Sequence, residues 1–145
     1  MAQALTVFDA ALQDAHVWVN EVAGELGLDD RRAALHALRA VLHALRNRLP
    51  VDVLANLSAQ LPLLVRGLFF ENWEPHAKPT HHHRLDDFAE ALDQELRGFD
   101  EVVEVEDAVR AVFAVLGAHV SLGEWRKLGK VLPHELAMLW DESGA

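Results

Sequence analysis

A chain of 145 residues, 51% of them apolar and 25% charged, is the size of one domain and carries enough apolar surface for one core. It has no cysteine and no tyrosine, so disulfides, thiolate catalysis and thiolate metal sites are excluded. The N-terminal stretch MAQALTVFDAALQDAH has no basic start, and no apolar run approaches the ~20 residues of a membrane helix, so a cytoplasmic protein with no membrane partner is expected.

In chain order, Phe8, Leu12, Ala15, Val19, Val22 and Leu26 recur at three and four and predict a first helix with that face inward. Gly27 closes it, and Asp29 is the expected N-cap of a second helix, which runs from Asp30 to about Arg48 around Leu35, Leu38, Leu42, Leu45 and Leu49. A short third helix enters at Pro50, and Pro62 suits the first turn of a fourth. Residues 73–84, with Pro75, Pro79 and three consecutive histidines, read as a connector. Beyond it come a helix from Asp107 to His119, a short helix opened by a Ser121/Glu124 capping box, and a last helix entered at Pro133. No stretch alternates with period two over a strand's length.

Sliding the chain against itself by 71 residues sets Ala37 to Phe69 over Ala108 to Trp140 without a gap. The identities are Ala37/Ala108, Arg39/Arg110, Ala40/Ala111, Val41/Val112, Leu45/Leu116, Leu57/Leu128, Leu61/Leu132, Pro62/Pro133 and Leu68/Leu139, and Leu42/Phe113 and Phe69/Trp140 stay apolar. A shared Leu-Pro step in register with both apolar patterns points to a duplication. The expected fold is therefore all-α, a compact bundle of about eight helices made from two tandem four-helix repeats within a single domain, residues 1–145. Repeat one spans about 5–72 and repeat two about 85–141.

The formal net charge is −10, and it is concentrated: from Asp86 to Asp107 ten acidic side chains face one basic residue, Arg97. Such a surface repels phosphate backbones, so nucleic acid is not an expected partner. The opposite sign gathers on the second helix, where Arg32, His36, Arg39, His43 and Arg46 fall within about 80° of arc beside the leucine stripe. That stripe is open to three readings: a solvated face, a seat for the acidic segment of this chain or of a second copy, or a site for an external acidic ligand.

His76, His81, His82 and His83 could offer imidazoles to zinc, nickel or copper, although consecutive histidines cannot easily converge on one ion. His36 and His43 lie about 10.5 Å apart along a helix, too far to chelate together. No HExxH and no carboxylate pair with ExxH appears, and His134-Glu135-Leu136 lacks a second histidine. Ser58 and Ser121 sit in no nucleophile elbow, and the glycines form no phosphate loop. The pattern carries no catalytic arrangement and no cofactor motif.

The strings LHALRNRLP (Leu42 to Pro50), AQLPLLVRGLFFENWEP (Ala59 to Pro75) and VLPHELAMLW (Val131 to Trp140) resemble a family of small bacterial helical proteins known only as a domain of unknown function. The resemblance runs from about Val7 to Trp140 and implies an all-helical cytosolic fold without a known activity. Its motif positions are Arg46, Arg48, Arg66, Gly67, Trp73 and Pro75 here. Arg66, followed by a glycine that costs a helix ~1 kcal/mol, suggests close helix packing at Gly67 and an ion pair at Arg66. The expected function is a non-enzymatic module that binds a protein partner or a second copy of itself. The alternative is a small-ligand or metal-binding protein using the histidine-rich connector and the arginine and histidine stripe.

Overall fold

A computed structural model describes residues 5–75, 103–132 and 134–143. Every regular element in them is an α-helix: α1 (Thr6–Leu26), α2 (Arg31–Arg46), α3 (Val51–Ser58), α4 (Leu63–Phe70), α5 (Val105–His119), α6 (Leu122–Val131) and α7 (His134–Ser143). The helix expected to open repeat two, and most of the connector, fall outside the described residues. No described helix is long and apolar enough to cross a membrane.

The helix ends follow from local chemistry. Gly27 ends α1 at φ +67°, the left-handed conformation that glycine adopts without a Cβ penalty, and its amide closes on Ala23 and Gly24. The N-cap of α2 is Asp30, one residue later than expected: its carboxylate accepts from the amides of Arg32 (2.9 Å) and Ala33 (3.3 Å). A cap must sit immediately before the first helical residue to reach two and three positions ahead, and Asp30, unlike Asp29, does. Pro62 stands just outside α4 rather than inside its first turn, extended at ψ 158°, with its carbonyl accepting from the Arg66 amide at 2.8 Å. Pro133 lies outside the described residues.

At α6 only half of the expected capping box forms. The Ser121 hydroxyl accepts from the Glu124 amide at 3.3 Å, but the Ser121 amide donates to Gln60 Oε1 at 2.7 Å instead of to a glutamate. The Gln60 Nε2 returns a bond to the Ser121 hydroxyl at 3.2 Å. A residue from the end of α3 has replaced the local partner, which ties the two parts of the chain together.

Helix α1 packs on α2, α4 and α5; α5 also packs on α2 and α7, α7 on α6, and α6 on α3. Their buried side chains form one continuous cluster with Trp18, Leu38, Leu45, Phe69, Phe113 and Trp140 among its largest members. Each such side chain contributes about 1.5–3 kcal/mol by leaving water. Trp18, Trp125 and Trp140 are core, as their positions on apolar helix faces predict.

The inner face of α1 differs from expectation. Phe8 and Leu12 are 60% and 52% exposed, while Ala11, Trp18, Val22 and Ala23 are buried. The first two turns of α1 carry apolar residues on more than one side, so periodicity alone does not choose between them. Packing chose the line that continues through Trp18, the largest side chain on the helix.

Two starts repeat at the 71-residue spacing: α3 and α6 begin at Val51 and Leu122, and α4 and α7 at Leu63 and His134. Core residues repeat with them, including Leu38/Val109, Leu42/Phe113, Leu54/Trp125, Val65/Leu136 and Phe69/Trp140, all buried.

Candidate functional site

The motif arginines converge on backbone carbonyls. The last four carbonyls of a helix have no partner within it and form the negative end of its dipole, so a guanidinium aimed at them satisfies both needs. Arg46, at the end of α2 and buried, donates through Nη1 to the carbonyls of Phe69 (3.0 Å) and Glu71 (2.6 Å), and through Nε to Asn47 Oδ1 (3.1 Å). His43, one turn earlier, donates from Nε2 to the Leu68 carbonyl at 2.7 Å. Together they hold the last turn of α4 against α2.

Arg66 does the same for α3. Its Nε donates to the Ser58 carbonyl at 2.9 Å and its Nη2 to the Leu61 carbonyl at 3.0 Å. The expected ion pair is therefore replaced by two carbonyls. Nor does close packing explain Gly67, since a Cβ built there meets nothing within 4 Å. Arg48 is buried and reaches back one turn from Nη1 to the Ala44 carbonyl at 2.9 Å. Hydrogen bonds from charged donors contribute about 1.5–3 kcal/mol when buried, enough to make these residues part of the framework.

Arg39 is half-exposed and pairs with Glu71, Nε to Oε1 at 2.9 Å; His43 Nε2 lies 3.8 Å from the same carboxylate. The sequence comparison missed Glu71, which stands two residues beyond the matched stretch. Its counterpart 71 residues on is Glu142, and Glu142 Oε2 takes Arg110 Nη1 at 2.6 Å. One ion pair thus recurs in both parts of the chain. Arg110 also pairs with Glu106 at 2.9 Å, and Glu106 and then Glu142 shift its guanidinium further toward the charged form.

Of the remaining candidates, Arg32 is exposed at the start of α2, His36 is half-buried, and Trp73 is half-buried with its ring 5.3 Å from that of Phe70. The structure gathers Arg39, His43 and Arg46 around the end of α4 and leaves Arg32 outside that group. His76, His81, His82 and His83 lie outside the described residues. Among the described residues no three His, Asp or Glu side chains are grouped to hold a metal. A cleft of about 410 Å³ opens where α1 ends and α5 begins, with Glu25, Glu104, Asp107 and Arg110 on its wall.

With this geometry in view, a family model matches residues 15–139, described as an uncharacterized conserved protein, DUF2267. The chain belongs to the DUF2267 family. The match covers both parts of the chain and every described helix in whole or in part. No curated protein matches the chain. In this DUF2267 chain the positions carried over from the motif, Arg46, Arg48 and Arg66, each reach a backbone carbonyl. A contact joining the first and last described segments was also invisible in the sequence: His119 stacks on Trp18 with centroids 4.6 Å apart and donates to Glu21 Oε2 at 2.7 Å. Nothing in residue spacing could have matched these positions across 98 residues.

Proposed function

We propose that this DUF2267 chain is a duplicated, non-enzymatic interaction module that binds a protein partner or a second copy of itself through unlike-charged helix faces. The observation that supports it is how exposed charge is sorted among helices. α1 carries Asp9, Asp14, Glu21 and Glu25 and no lysine or arginine, whereas Arg31 and Arg32 open α2 and Arg126, Lys127 and Lys130 lie exposed on α6. Charge sorted in this way favours association of complementary faces and sets its orientation and rate. Within the arginine and histidine stripe, the partner-facing members under this reading are Arg32 and Arg39. Arg46 is too deeply engaged to serve.

Sedimentation velocity and affinity capture on tag-free protein test the reading. Raising salt from 0.1 to 1 M shortens the screening length from about 10 to 3 Å and should weaken association. Arg32→Glu with Arg39→Glu should weaken it at low salt. A chain that stays monomeric at low salt and captures no protein would end this reading. Titration of zinc, nickel and copper by calorimetry addresses the alternative: micromolar binding that disappears when His81, His82 and His83 become alanine would replace the interaction module with a metal-binding protein.

A further inference from the structure

Two helix faces have apolar residues in water beside unpaired charge of opposite sign. On α1, Leu5, Phe8 and Leu12 follow the i, i+3, i+7 spacing and are 58%, 60% and 52% exposed, with Asp9 bordering them. On α6, Leu122 and Val131 are 54% and 42% exposed at either end of a face that holds Arg126, Lys127 and Lys130, and Met138 of α7 is 53% exposed. Among the described residues Asp9, Asp14, Arg126, Lys127 and Lys130 form no ion pair. Arg31 reaches His16 at the inner end of the α1 stripe, so the acidic and apolar surface is the first two turns of α1.

We infer that the α1 face of one copy docks on the α6 face of a second copy. This rests on the self-association arm of the proposed function and names its contact. Charge complementarity selects the occupant. Two α1 faces would bring carboxylates together and two α6 faces would bring ammonium groups together, whereas α1 on α6 pairs the signs around an apolar centre, the usual composition of an interface. The two faces cannot satisfy each other within one chain. α1 packs on α2, α4 and α5, and α6 on α3 and α7, so they share no neighbouring helix. Such a contact is heterologous: each copy keeps one free face of each kind, and assembly proceeds head to tail into a ring or a growing chain.

A mixing experiment distinguishes this contact from every other mode of association. One variant carries Phe8→Ser and Leu12→Ser; the other carries Lys127→Glu and Lys130→Glu. All four positions are exposed, so both variants should keep the wild-type melting temperature. Wild-type protein should show a mass that grows with concentration at low salt. Each variant alone should associate about tenfold or more weakly. Mixed together, they should recover a one-to-one complex, because one retains the α6 face and the other the α1 face. Failure of the mixture to recover would overturn the contact. A wild-type chain that associates with no response to either variant would also overturn it, while self-association itself would stand. A purely monomeric wild type would remove both. If Phe8→Ser and Leu12→Ser lower the melting temperature without changing the mass, residues of the same chain cover α1 and the inference fails.

Discussion

The carbonyl of Phe69 and the carbonyl of Trp140 occupy equivalent places 71 residues apart, each in the last turn of its helix, and each is held by a different kind of donor. In the first part of the chain the donor is the guanidinium of Arg46, at 3.0 Å. In the second it is the indole of Trp125, at 3.2 Å, and Trp140 donates in return to the Trp125 carbonyl at 2.7 Å while the rings stack 3.5 Å apart. The position equivalent to Arg46 is Gly117, where a Cβ would come within 3.2 Å of the Trp125 ring. Loss of the long side chain and gain of the large ring therefore belong together. The same holds for Ser58 and its counterpart Gly129, whose Cβ would lie 3.2 Å from Trp140. What both parts retain is the peripheral ion pair, Arg39 to Glu71 and Arg110 to Glu142. An orphan carbonyl must be satisfied, but the chemistry that satisfies it is interchangeable provided the space is rebalanced.

The comparison can be broken most directly at Trp140. Trp140→Ala removes a fully buried ring and both indole bonds, and should cost about 3–5 kcal/mol in guanidinium unfolding. A loss under ~1 kcal/mol would mean that the tryptophan pair holds nothing in place. Next is Arg46→Met, which keeps much of the volume and strips the donors from two carbonyls. It should cost about 2 kcal/mol or more, with little recovery from Arg46→Lys because an ammonium cannot reach both carbonyls and Asn47 in one plane. Equal stability of the methionine variant and wild type would show that water replaces the arginine.

The smallest effect is also the sharpest in sign. Gly67→Ala should stabilise the chain by about 0.5–1 kcal/mol, since the site is open and alanine is the better helix former. Gly117→Ala should do the opposite by about 1 kcal/mol, because crowding against Trp125 outweighs the same helix gain. Thermal melts of the two single variants decide it, and melting temperatures that move in the same direction would contradict the account of Gly117.

Periodicity and end signals in the sequence were sufficient for the all-helical class, for Gly27 as a stop, for the tryptophans as core and for most helix boundaries, because these depend on the apolar spacing of one segment and on bonds a few residues long. The 71-residue offset was legible for the same reason: both copies solve one packing problem with similar side chains. Which side of the first turns of α1 would be buried was not legible, since the pattern offered more than one apolar side and only the placement of α2, α4 and α5 decided between them. The roles of Arg46 and Arg66 were equally hidden. Their partners are main-chain carbonyls, which every residue possesses, so no residue type marks them in advance. Likewise, Gln60 displaced Glu124 at the Ser121 amide, and His119 found Trp18 and Glu21, because tertiary packing brought together groups that no local spacing relates.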